Sequence, residues 1–202
     1  MLMRYLYFII VFLFISVLSY GQRFNGGAMT GLVVSQVDGD NLGGFNKPGI
    51  RAGGWVNTQI SELTTLQLEL QYIQKGSKIS EQELKSGKYY HSRLNYLQIS
   101  FLGKYELLPK LKGEAGFATG YLYEALEDLD GAGFIEPQRP FDEYEFSLLI
   151  GLNYQFNKKF TGNVRLNYSA LPIRDHPGEQ VYFIDRGQYN NALSFTLYYK
   201  IG

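Results

Sequence analysis

The chain has 202 residues, enough for one domain, and its 19 Lys and Arg balance 19 Asp and Glu, so neither net charge nor any basic motif points to nucleic acid. It contains no Cys, which removes disulfides, thiol catalysis, thiolate metal sites and a lipid anchor attached through a processed Cys. It is rich in Tyr (17), Phe (14) and Gly (23), the profile of an all-β protein.

The first segment reads as an export signal. Arg4 supplies the positive start, and residues 6–18 form an apolar run broken mainly by Ser16. Ser19 and Gly21 then stand at −3 and −1 of a cleavage point before Gln22. The run is shorter than the ~20 residues a helix needs to cross a bilayer, which argues against a permanent anchor. The expected division is a signal peptide over 1–21 and a barrel domain over 22–202.

From there the chain alternates with period two, the mark of strands with two unlike faces. The Gly-rich stretches 27–37 and 48–58 are expected strands whose facing stays open. In 65–75, Leu66, Leu68, Leu70 and Tyr72 oppose Gln67, Glu69 and Gln71. Stretches 94–106 and 112–124 keep the pattern with exceptions. In 143–156, Phe146, Leu148, Ile150 and Leu152, flanked by Tyr144, Tyr154 and Phe156, oppose Glu143, Glu145, Ser147, Asn153 and Gln155. In 160–170, Val164, Leu166 and Tyr168 oppose Asn163, Arg165 and Asn167, and in 191–201 Phe195, Leu197 and Tyr199 oppose Ser194, Thr196 and Lys200. Long polar links near 35–47, 76–92, 125–142 and 171–188 alternate with short ones near 59–63, 107–111 and 157–159. Eight strands of this length with two-sided loops predict an all-β, eight-stranded antiparallel up-and-down transmembrane β-barrel, its short turns and both termini at the periplasmic end.

Alternation alone does not say which face is outside, and a soluble lipocalin-like barrel would bury the apolar set. Aromatics toward the strand ends, charge in mid-strand and the unequal loops favour a membrane. The expected lipid-facing residues are then Leu66, Leu68, Leu70, Phe146, Leu148, Ile150, Leu152, Val164, Leu166, Phe195 and Leu197. The expected lumen set is Arg51, Glu69, Lys75, Lys104, Glu114, Glu145, Arg165 and Lys200, with Gln and Asn between.

Several strand motifs carry a family resemblance. Leu68-Glu69-Leu70-Gln71-Tyr72-Ile73-Gln74-Lys75-Gly76 resembles the Y-x-Q-K-G strand ending of the porin-like, PorT-type outer-membrane β-barrels of Bacteroidetes. Asn95-Tyr96-Leu97-Gln98-Ile99 with Lys104-Tyr105 resembles that family's Y-L-E-I-P…K-Y strand, apart from Ser100 where Pro is common. Gly116 to Tyr121 is similar to its G-x-x-x-G-Y strand, and Ala192 to Lys200 to its closing strand, although the chain ends on Gly202 rather than an aromatic. The resemblance implies an eight-stranded outer-membrane barrel and little about activity, since most members have none assigned.

An eight-stranded barrel is about wide enough inside for its own side chains. Acids and bases together in the lumen set therefore suggest a paired structural network, the alternative being a narrow ion path. No catalytic, cofactor or metal site is expected, and the chain does not read as an enzyme. His91-Ser92 would diverge on a strand, and His176, in Arg174-Asp175-His176-Pro177, reads as a turn. Asp38-Gly39-Asp40-Asn41 lacks the full calcium-loop pattern. The expected role is a structural or interaction protein working through long outer loops, with outer-membrane lipid around it and an envelope protein or extracellular ligand as partner. Rival readings are an export-assisting or ligand-binding barrel, a lipid-acting enzyme and a soluble periplasmic barrel.

Overall fold

A computed structural model describes residues 23–87, 89–175 and 187–201; the expected signal segment and His176 lie outside them. Eight long strands form the wall: β1 Phe24–Asp38, β2 Lys47–Gln59, β3 Thr64–Lys75, β4 His91–Leu108, β5 Leu111–Asp128, β6 Tyr144–Gln155 and β7 Phe160–Ser169, with β9 Gly187–Ile201 closing it. A two-residue strand, β8 Arg174–Asp175, pairs with β9 above the wall. Every neighbour pairing is antiparallel, and the order follows the chain from β1 to β7, with β9 next to β7. β1 also pairs with β9 from Gly26↔Ile201 to Asp38↔Tyr189, so the sheet is a closed barrel.

The expected strands are all present, within a few residues of their predicted ends. The largest difference is at the long-loop end, where β4 and β5 run on as a ladder as far as His91↔Asp128. The polar sequence there pairs its own backbone and needs no apolar face. In the loop between β3 and β4, the single turn α1 Glu81–Leu84 is held by a capping box. Ser80 accepts from the Glu83 backbone while the Glu83 side chain accepts from the Ser80 backbone.

The two Gly-rich strands also take a definite facing. Met29, Val33, Ser35 and Val37 of β1 and Lys47 and Arg51 of β2 point inward and are buried, whereas Leu32 and Ile50 are exposed on the outside. The irregular alternation of β4 and β5 has a packing cause. Inward positions there include Leu94, Tyr96, Leu102, Ala118 and Leu122, so apolar side chains occupy both faces. A register shift opposite Asn95/Tyr96 adds one residue to β5 near Tyr123.

Candidate functional site

The expected outer residues all stand on the outward face. Leu66, Leu68, Leu70, Phe146, Leu148, Ile150, Leu152, Val164, Leu166, Phe195 and Leu197 are each at least 39% exposed, leaving a continuous apolar belt with no protein against it. Aromatics lie toward its edges: Tyr121 against Tyr144 near the long loops, and Phe160 against Tyr199 near the short turns.

Seven of the eight expected lumen residues are brought together, in two groups. In the group nearer the short turns, Arg165 is the hub. Its Nη1 lies 2.6 Å from Glu69 Oε2 and its Nε 2.6 Å from Glu114 Oε1. Arg51 reaches Glu69 at 3.3 Å and Lys104 reaches Glu114 at 3.4 Å. Neutral groups complete the shells: the Tyr198 hydroxyl donates to Glu69 at 2.6 Å, and Asn153 and Asn163 each donate to Glu114 at 2.8 Å. Closer to the long loops, Lys75 Nζ lies 2.6 Å from Glu145 Oε1 and sits over the Tyr96 ring, and Asn190 donates to Glu145 Oε2 at 2.8 Å. All seven charges are almost fully buried. Charges so placed are tolerable only when paired and further hydrogen-bonded, and each carboxylate here has several donors.

Lys200 differs. It is half-buried at the short-turn mouth and makes no ion pair among the described residues.

Gly151 makes room for this arrangement. A Cβ there would meet Glu114 Oε1 at 2.8 Å and Val164 O at 2.5 Å, both fixed by the network and the β6–β7 ladder. Gly151→Val should therefore destabilise the folded barrel by roughly 1–3 kcal/mol, the usual cost of overpacking. Its urea midpoint in lipid vesicles checks this, and an unchanged midpoint would mean that Glu114 moves freely.

The interior toward the long loops holds the expected carboxamides, among them Gln98, Asn167 and Asn190, and beside them an apolar cluster that was not expected. Val33, Val37, Ile73, Leu94, Tyr96, Leu122 and Ala192 pack there with Phe141 and Ile173 from the loops. Above them, three loops meet at one arginine. Arg174 Nη1 lies 2.8 Å from Glu127, its Nε donates to Gln188 at 2.8 Å, and its guanidinium stacks 4.0 Å from the Phe141 ring centroid. The Tyr90 hydroxyl donates to the same Glu127 at 2.7 Å, and burial together with this acceptor pushes its pKa up. Sequence reasoning missed this clasp. Its apolar members Phe141 and Ile173 gave no distinct signal, because the same loops also carry Leu129, Phe134, Ile135 and Leu171, which stay exposed.

The remaining candidates stay apart. The Ser92 hydroxyl is buried and accepts from the Ser77 backbone at 2.8 Å, whereas His91 packs on the Phe134 ring. Asp38 accepts from Gln36 and Asp40 from the Leu42 backbone. Among the described residues no group of three or more His, Cys, Asp or Glu could hold a metal ion.

Comparison with known proteins agrees with this geometry. The family model described as "Outer membrane protein beta-barrel domain" matches residues 19–172. Among solved structures, Ail, the attachment invasion locus protein of Yersinia pestis, aligns with a TM-score of 0.51 at 10% identity, over 89% of this chain and 99% of that one. Its crystals held the heparin analogue sucrose octasulfate. Neisserial surface protein A aligns with a TM-score of 0.51 at 12% identity, over 90% and 99%. At such identities the likeness is one of fold. No curated protein sequence matches the chain.

Proposed function

The chain belongs to the outer membrane protein β-barrel domain family, and from that premise we propose that it is a non-enzymatic interaction barrel whose long outer loops are its working surface. In this reading the signal segment is cleaved before Gln22, the apolar belt meets lipid, and the paired interior closes the lumen to solutes. The resemblance of its strand motifs supports reading it as a PorT-type barrel of Bacteroidetes. The observation that carries the proposal is the combination of an interior filled by salt-bridged side chains with loops clasped together at Arg174 and Glu127. A wall without a path, and loops tied into a defined surface, leave the surface as the place for recognition.

The loop chemistry also bears on the kind of partner. Segment 124–143 carries Glu124, Glu127, Asp128, Asp130, Glu136, Asp142 and Glu143 against Arg139 alone. Most of these acids are exposed, as is the apolar Ile135 at 52%. That surface suits a basic or neutral partner better than the sulfated sugar bound to Ail. A photo-crosslinking residue at Ile135 should trap a discrete envelope or extracellular partner, and one at Lys110 in a short turn should not. The purified barrel should give no single-channel steps in planar bilayers. Stable conductance steps, or crosslinks from position 110 alone, would overturn the reading.

A further inference from the structure

The neutral overall charge conceals an uneven distribution along the barrel axis. At the short-turn end, below the Arg165 group, lies a cavity of about 340 Å³ that opens away from the long loops. Six lysines line it: Lys104, Lys110, Lys112, Lys158, Lys159 and Lys200. Among the described residues no carboxylate does. Lys104 is held by Glu114 and Lys112 by Glu106 at 3.8 Å, while the other four have no ion pair among the described residues. Between the lysines stand the carboxamides of Asn57, Gln67, Asn153 and Gln155, and the chain's single tryptophan, Trp55, forms part of the wall.

We propose that this cup is a binding site for a soluble, multiply charged oxyanion, one carrying phosphate or carboxylate groups. Like charges converging on a recess with low-dielectric walls focus a positive potential into it, more than the same lysines would on an open surface. Ammonium and carboxamide N–H groups are the donors that phosphate and carboxylate oxygens accept from, and the ionic ones form the stronger bonds. The volume lies at the small end of ligand pockets, which favours a compact ligand over a polymer. Position selects a dissolved anion over a lipid headgroup. Lys104, Lys112 and Lys200 stand on strands and line the recess from within, with Lys110, Lys158 and Lys159 on the short turns at its rim, whereas lipid would meet the outward aromatics such as Tyr154, Phe160 and Tyr199.

The cup does not need an open lumen. The paired Arg51, Glu69, Glu114 and Arg165 side chains form the floor, so the cup is a blind site that holds a ligand and does not pass it on.

Trp55 permits a direct test in the full mature barrel, folded in zwitterionic detergent micelles. Relative to the iodide-to-caesium ratio for free N-acetyltryptophanamide, iodide should quench its fluorescence several-fold more effectively than caesium, because the cup concentrates anions around the indole. Tripolyphosphate should saturably protect against iodide. The triple variant K158E/K159E/K200E alters exposed or half-buried rim residues outside the ion-paired interior and should weaken that protection roughly tenfold. Its fold is verified by the gel shift on boiling, and K158Q/K159Q/K200Q serves if the acidic variant fails to fold. An iodide-to-caesium ratio no higher than that of the free indole, or protection unchanged in the variants, would overturn the proposal. The measurement is repeated in nanodiscs of anionic lipid. Loss of tripolyphosphate protection there would assign the cup to headgroups and overturn the choice of a soluble ligand.

Discussion

Glu69→Ala should cost the folded barrel about 3–5 kcal/mol, because it removes the carboxylate that, alone among the described residues, is bound to both Arg51 and Arg165, and leaves them buried against each other. Both guanidiniums are 1% exposed, so water does not reach in to replace the lost oxygens. Tyr198 would lose its acceptor as well. The measurement is the urea midpoint of the barrel folded in lipid vesicles, followed by its shift on an unboiled gel. Glu69→Gln should cost less, since it keeps the shape and part of the hydrogen bonding. Removing charge from both sides in E69L/R51M should recover part of the loss, because Arg165 keeps Glu114 whereas Arg51 has no other ion pair among the described residues, and breaking a buried pair is worse than replacing it with apolar side chains. An E69A midpoint within a few tenths of a molar of the parent would show that the interior is hydrated, and the closed-lumen reading would fall with it.

The second large effect is expected on the opposite face. Leu148 is 56% exposed, midway between Tyr144 and Tyr154 on the outer side of β6, with Phe117 and Tyr168 as its cross-strand neighbours. Leu148→Arg places a charge where nothing in the protein can pair it, and near the bilayer midplane that costs about 2–4 kcal/mol. The variant should be depleted from the outer-membrane fraction and should lose the gel shift on boiling. Ser147→Ala on the neighbouring inward position should insert normally. Normal insertion of L148R would mean that this face does not meet hydrocarbon.

How much could be read from the chain depended on whether its two faces differ in chemistry. In β3, β6, β7 and β9 the inward side is charged or amide-bearing and the outward side apolar, so both strand and facing were legible. In β1 and β2 glycines at Gly27, Gly31, Gly49 and Gly53 erase the contrast, and only three-dimensional register decides that Arg51 joins Glu69. β4 and β5 hid their inward apolar residues for the opposite reason: Leu94, Tyr96 and Leu122 look like outward residues because they pack under Phe141 and Ile173, two loop residues remote in sequence. Lys200 was grouped with the buried charges by parity alone. Period two tells inside from outside but carries no depth along the axis, and depth places Lys200 in the basic cup. The clasp at Arg174 was illegible because its partners Tyr90, Glu127 and Gln188 come from three separate segments.

The seam between β1 and β9 imposes an order on assembly. Thirteen residue pairs, from Gly26↔Ile201 to Asp38↔Tyr189, join one of the first segments to leave the ribosome to one of the last. Until β9 arrives, β1 and β7 each present a row of unpaired backbone groups, a template for pairing with any neighbouring chain. Arg51 and Arg165 also wait, since the groups they share with Ser194 and Tyr198 are supplied by that same late strand. Hairpin by hairpin, the intermediate strands can form locally, but the last step must close the longest loop in the molecule and carries its entropy in a single event. Chains shortened within β9 should therefore not yield a slightly weaker barrel. They should remain as open sheets, held by chaperones or lost to proteolysis, and the cell would meet the defect as an envelope-assembly problem rather than as a missing activity.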